Sequence, residues 1–205
     1  MWIQKEQQGY WKMWMKRKDR IREAKGFSIM ELLVTLAVLG IMIGIAIPAF
    51  SVWLADSGLK RAATDLFSTM QWARTRAIKG NTQWAVVFDV TAGAQKYLVC
   101  SSAGGDSDWS TTGDNTVERT VRLSDYGNDI AFGHGVASDD IPGNGSPPAD
   151  DVSYTNDLVV FNASGFSGSG YVYLQNSKGN TYGVGTRSTG IILLRKWNKN
   201  ASRWE

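Results

Sequence analysis

The chain has 205 residues, of which 43% are hydrophobic and 20% charged, enough for one ordinary domain and an appendage and typical of a globular protein. One cysteine and one histidine exclude an internal disulfide, a cysteine-rich zinc site and any two-histidine metal motif. The net charge of +3 is unevenly placed: residues 1–26 hold eight Lys/Arg against three acids, and the remaining residues are slightly acidic. The basic isoelectric point thus belongs to the N-terminal segment.

That basic run leads into Gly26-Phe27-Ser28-Ile29-Met30-Glu31 and then residues 32–50, where the sole polar side chain is Thr35. Extended by residues 27–30, the stretch is long enough to cross the roughly 30 Å hydrocarbon core of a bilayer. Positive charge before it and none just after it place the N-terminus in the cytoplasm and the rest of the chain outside. A cleaved secretory signal has a shorter apolar region and a small-residue cleavage site, to which Gly44-Ile45-Ala46 is a weak match. A plain signal anchor accounts for everything except Glu31. A carboxylate inside an apolar span costs roughly 2.5–3.5 kcal/mol and marks function. It needs a cation, which the span lacks. Cutting the chain at the small residue Gly26 creates one as a free α-amine. Gly40 and Gly44 form a G-x-x-x-G pattern that ordinary membrane-helix composition explains. Pro48 removes a backbone donor late in the run, so the helix is expected to kink there.

Beyond Phe50, Leu59, Ala62, Leu66, Met70, Ala73 and Ala77 recur at three- and four-residue spacing, the apolar face of an amphipathic helix. Gly80-Asn81 is a stop signal. The pattern predicts one helix over 27–79, bent at Pro48 or at Gly58, with its second half packed on a sheet. Strands are expected over 83–90, 96–101, 117–123, 129–132, 158–162, 170–175, 181–185 and 190–196, separated by Gly, Ser and Asn turns. Residues 104–115 and 138–155 read as polar loops, the second, with Pro142, Pro147 and Pro148, as a mobile one.

Catalytic patterns are missing. His134 stands alone between two glycines, and Cys100 ends an apolar strand as a buried thiol. Gly165-Phe166-Ser167-Gly168-Ser169-Gly170 has the wrong order for a phosphate loop. Asp106, Asp108, Ser110, Thr112 and Asp114 alternate as calcium ligands do, but Thr111 stands where a turn glycine belongs and Val117 where the closing Glu belongs. With Asp139, Asp140, Asp150 and Asp151 they read as a solvated acidic face; no metal and no cofactor are expected. Residues 186–205 carry Arg187, Arg195, Lys196, Lys199 and Arg203 against Glu205, with Trp197 and Trp204 interleaved. Basic groups beside aromatics are what a nucleic-acid or partner tail uses. The alternative is a last strand with solvated charges and Trp197 packed on the sheet, which the acidic balance of residues 104–157 favours.

The junction Lys25-Gly26-Phe27-Ser28-Ile29-Met30-Glu31-Leu32 resembles the class III leader junction of type IV pilins and type II secretion pseudopilins. Residues 63–66, 72–78, 159–165 and the last hairpin resemble, more loosely, the GspH/FimT-type minor pseudopilins. The resemblance implies an α+β, pilin-like fold: one long N-terminal helix, transmembrane in its first half and amphipathic in its second, on an antiparallel β-sheet domain. It implies a cytoplasmic prepilin leader over 1–26, a transmembrane and filament-core helix over 27–54, an amphipathic helix over 55–80 and a β-rich periplasmic domain over 81–205. A start at Met13 or Met15 leaves a shorter leader that keeps most of its charge. By resemblance, a prepilin peptidase/N-methyltransferase cuts between Gly26 and Phe27 and methylates Phe27, and Glu31 pairs with the α-amine of a neighbouring subunit. The function implied is that of a non-enzymatic minor pseudopilin, single-pass in the inner membrane, in the periplasmic pseudopilus of a type II secretion system. Its partners are other pseudopilins or pilins at a hetero-oligomeric filament tip, with secreted cargo or the outer-membrane secretin as further contacts. The alternatives are a FimT-like minor pilin that binds DNA and a membrane-anchored enzyme or sensor. DNA is disfavoured because the G-R-x-R-like element of such pilins is missing here: Gly190 is followed by Ile191-Ile192-Leu193.

Overall fold

A serine opens the long helix and an asparagine closes it. In the computed structural model, which describes residues 26–127 and 129–205, Ser28 Oγ accepts the backbone N–H of Met30 at 3.3 Å, an N-terminal cap. Helix α1 then runs over Ile29–Gly80. Asn81 takes a left-handed φ of 50°. Its N–H donates to the carbonyl of Ile78 and that of Thr82 to the carbonyl of Ala77, the paired closure a left-handed residue permits. The expected bounds fall within two residues of these.

The chain divides between Ile47 and Pro48 into two compact units. In the first, every described residue is exposed, from Gly26 to Ile47. In the second, α1 buries Gly58, Leu59, Ala62, Ala63, Leu66, Thr69, Met70, Ala73 and Ala77. This is the stripe the three- and four-residue spacing predicts. Gly58, expected as an alternative bend, has a packing role. A Cβ there would stand 2.5 Å from the Tyr126 carbonyl oxygen, so only glycine lets the helix approach so closely.

The β domain holds two antiparallel sheets where the sequence distinguishes only one. The first contains β1 (Trp84–Asp89), β2 (Lys96–Ser102), β3 (Thr116–Arg122) and β5 (Leu158–Phe161) in the order β3-β2-β1-β5. The second contains β4 (Ala131–Phe132), β6 (Gly170–Gln175), β7 (Thr181–Thr186), β8 (Ile192–Asn198) and β9 (Arg203–Trp204) in the order β4-β6-β7-β8-β9. Strand β5 returns from far along the chain to pair with β1, Trp84 opposite Phe161 and Val87 opposite Leu158. No local pattern foretells that long-range choice.

One core joins α1 to both sheets: Leu66 and Met70 share it with Val86, Tyr97, Val99 and Phe161 of the first sheet and Val172, Leu174 and Val184 of the second. Each such side chain contributes about 1.5–3 kcal/mol on full burial. Strand β1 is buried on both faces. Its outer residues Ala85 and Val87 join Cys100 in a second cluster, against which Trp109 packs. The 104–115 loop therefore contributes a covering side chain as well as polar surface.

Candidate functional site

The N-terminal segment concentrates unusual chemistry. Glu31 lies in the first turn of α1, three residues after the Ser28 cap. S-x-x-E is the sequence signature of a helix start, and a carboxylate there is favoured by the helix dipole. This local role was legible in Ser28-Ile29-Met30-Glu31 and is missed when only the cost of the charge is considered. After it come side chains with no partner among the described residues: Leu32 is 54%, Ile41 66% and Ile45 71% exposed. Thr35 returns its hydroxyl proton to the Leu32 carbonyl at 2.9 Å, so the one polar side chain of the run satisfies itself on the backbone, as an apolar surrounding demands. A Cβ at Gly40 or Gly44 would meet nothing within 4 Å. Pro48 lies inside the helix, brings no N–H, and accepts Ser51 Oγ on its carbonyl at 2.8 Å. The basic leader, with the alternative starts at Met13 and Met15, lies outside the described residues.

Within the second unit, polar clamps fasten the helix to the β domain. Asp65 Oδ2 accepts the hydroxyls of Tyr97 at 2.8 Å and Tyr126 at 2.6 Å. The Arg119 guanidinium donates to both Asp65 oxygens at 3.2 and 3.0 Å and to Thr69 Oγ1 at 3.0 Å. Burial pushes the Asp65 carboxyl up, but the two hydroxyls and Arg119 outweigh it and hold it below its ordinary value. Burial and the Asp65 charge push the Tyr126 phenol up to about 12. Asp56 accepts the side-chain amides of Asn176, at 2.9 Å, and of Asn180. Arg74 Nε donates to the Gly165 carbonyl at 2.9 Å. None of these partners is suggested by sequence spacing, because each pair joins residues far apart in the chain.

The basic tail is folded. Trp197 is 4% exposed, packs edge-on to Trp204 at 5.2 Å, and pairs with it across β8 and β9. Lys199 Nζ donates to the Lys178 carbonyl at 3.0 Å, Arg203 lies 3.5 Å from Glu205, Lys196 stands over the Tyr182 ring at 5.9 Å, and Arg195 is half-buried. The two tryptophans pack on each other, and Lys199, Arg203 and Lys196 each have a different neighbour. Strand β9 was not expected; it forms because Lys196 and Glu205 exchange backbone hydrogen bonds at 2.8 and 2.9 Å.

The acidic loops are built by their own carboxylates. Asp114 accepts the N–H of Gly105, Asp108 that of Ser110, and Asp140 that of Asn144, which are turn-forming bonds. The 138–155 loop, expected to be mobile, is strapped down: Trp204 Nε1 donates to the Asp139 carbonyl at 2.8 Å and Ile141 N–H to the Tyr173 hydroxyl at 3.0 Å. His134 Nδ1 lies 3.2 Å from Asp151. Among the described residues, His, Cys, Asp and Glu form no group of three that would hold a metal. Cys100 is fully buried and its thiol is pushed up to about 11 by burial, the state of an inert core thiol.

An apolar helix with a carboxylate in its first turn, continued into an amphipathic half docked on antiparallel sheets, defines a pilin-like membrane-anchored subunit. The family model of the type II transport protein GspH matches residues 62–190, and that of the prokaryotic N-terminal methylation motif matches residues 21–47. The chain belongs to the GspH family of type II transport proteins. Among solved structures, the minor pseudopilin EpsH of the type 2 secretion system of Vibrio cholerae is similar over 66% of this chain and 94% of its own, with 11% identity and a TM-score of 0.44. A second EpsH crystal structure from Vibrio cholerae covers 67% and 92%, with 13% identity and a TM-score of 0.42. The type IV minor pilin FimU of Pseudomonas aeruginosa covers 72% and 92%, with 11% identity and a TM-score of 0.41. At these values no functional residue is carried across from them.

Proposed function

We propose that this minor pseudopilin of type II secretion works by packing rather than catalysis, as a subunit near the tip of a periplasmic filament. The precursor sits in the inner membrane with its N-terminus in the cytoplasm. A prepilin peptidase/N-methyltransferase removes residues 1–26 by cutting between Gly26 and Phe27 and methylates Phe27. The 27–54 segment then passes from the bilayer into a bundle of neighbouring helices. Glu31 sets its register by pairing with the α-amine of an adjacent subunit, and Pro48 provides the point at which the helix yields to packing. The 55–80 segment holds the 81–205 domain to the helix, and that domain faces other tip subunits, secreted cargo or the secretin.

One observation carries this reading: in the first unit every described residue is exposed and nearly all of those after Glu31 are apolar, while the segment matches the methylation motif. A surface of that kind is stable only in lipid or against other helices. Co-expression with a prepilin peptidase followed by mass spectrometry of the N-terminus tests it. The expected product begins with N-methyl-Phe27. An intact N-terminus, or a cut after Ala46, overturns the reading.

A further inference from the structure

At the C-terminal end of α1, three separate parts of the chain come together, each bearing an exposed apolar side chain. Ile78 is 45%, Phe166 51% and Ile191 51% exposed. The turn after β5 and the turn between β7 and β8 both lie against the last turns of the helix. Arg74 Nε donates to the Gly165 carbonyl at 2.9 Å, Ser167 N–H points to the Ser188 carbonyl at 3.4 Å, and Arg187 N–H donates to the Ile191 carbonyl at 3.0 Å. Gly165 and Gly190 take left-handed φ values of 75° and 76°. A Cβ on Gly165 would stand 2.7 Å from Ile78 Cδ1, and one on Gly190 would collide with the Gly165 carbonyl. The two glycines thus bring the turns into contact, and each presents the apolar residue that follows it, Phe166 and Ile191.

The rim is of one charge. Residues 71–84, 161–170 and 186–192 contain Arg74, Arg76, Lys79 and Arg187 and no carboxylate. Arg76 lies over the Trp72 ring, roughly 200° round the helix from Ile78, which leaves Arg74, Lys79 and Arg187 on the segments that carry the patch; Lys79 and Arg187 are exposed. By contrast, residues 104–157 contain eleven carboxylates and two arginines.

We propose that this patch is a docking surface for another subunit of the same filament, one that presents an apolar tip ringed by carboxylates. The inference rests on the pseudopilin reading above and deepens it by naming the face and the chemistry of the contact. An apolar centre inside a charged rim is how protein interfaces are arranged. A nucleic-acid backbone calls for a continuous row of cations without aliphatic tips in the middle. Two side chains on short turns and one at a helix end bury too little apolar area to hold a bilayer surface, which takes a long amphipathic face or lipid chains.

The test places a photoreactive benzoylphenylalanine at Phe166 of the full chain, co-expressed with the prepilin peptidase and the other pseudopilins of its secretion system. A second probe at Leu36 reports helix packing. The Phe166 probe is expected to form an adduct with one pseudopilin. That adduct should fall at least tenfold in Lys79→Glu/Arg187→Glu and, separately, in Ile191→Asp, with leader cleavage and the Leu36 adducts unchanged. Adducts at Leu36 without one at Phe166, a Phe166 adduct indifferent to both variants, or one to lipid or nucleic acid overturns the docking surface and leaves the pseudopilin reading in place. Loss of pseudopilin adducts from both probes overturns that reading and the docking surface with it.

Discussion

Two stretches of one helix, α1, have opposite relations to the rest of the molecule. Between Leu59 and Ala77 the apolar stripe is covered by the chain's own sheets, with Leu59, Leu66 and Met70 wholly buried. Between Ile29 and Ile47 the side chains are more apolar, yet all are exposed. Hydrophobicity alone therefore does not say what a segment packs against. Spacing does: a stripe on one face finds a sheet, whereas a helix apolar all round needs surroundings apolar on every side. The first arrangement is complete within one chain, and the second waits for lipid or for other subunits.

Changes at the junction should have the largest effect. Gly26→Val is expected to block leader removal completely, seen as the full precursor mass after co-expression with the peptidase, with the β domain unaltered. Next, Glu31→Leu should still insert and be cleaved, since loss of the charge makes the span more apolar. Its recovery in cross-linked filament complexes should drop severalfold, and normal recovery would confine Glu31 to capping the helix.

Truncations in the two halves sharpen the contrast. Leu66→Ala is expected to lower the stability of the purified, detergent-solubilised chain by about 2–5 kcal/mol, the cost of a core cavity. Leu36→Ala should leave denaturation of the β domain unchanged and weaken only assembly. Equal effects on unfolding would contradict the division. Asp65→Asn should cost about 1–3 kcal/mol through its tyrosine and arginine partners. The sign with pH follows from the lowered carboxyl: its stabilisation is whole above about pH 4 and fades as pH falls through the folded-state value. The variant should accordingly lose less stability on acidification than the parent, which an acid-unfolding titration measures. The smallest effect is expected at the tail. Arg195→Ala/Lys196→Ala/Lys199→Ala should leave DNA retention at physiological salt at the parent's low level. Micromolar binding by the parent that the variant loses would instead favour a DNA-binding pilin.

The residues that make the helix and most strands were legible because their signals are local. Leu32 to Phe50 is apolar but for Thr35, Leu59 to Ala77 keeps helical spacing, and Gly80-Asn81 marks the stop, with Asn81 taking the left-handed position. At the candidate site, the glycine, the phenylalanine and the lone carboxylate at its offset are likewise contiguous. The rest was hidden for a common reason. Strand β9 has two residues and exists only through its pairing with β8. Trp109 looks like a loop residue until it covers Val87 and Cys100. Asp65 reads as part of a solvated face until Tyr97, Tyr126 and Arg119 converge on it.

The amino-acid sequence by itself determined where the chain turns apolar, which helical face is buried and where the helix stops. These follow from composition and periodicity over a few turns. Tertiary structure alone decided that the β strands divide into two sheets, that β5 returns to β1, that the tail's tryptophans pack edge-on, and that the turns bearing Phe166 and Ile191 meet at the end of α1. Each of those depends on which distant segments pair, and pairing is governed by the packing of the whole core, which no short window of sequence contains.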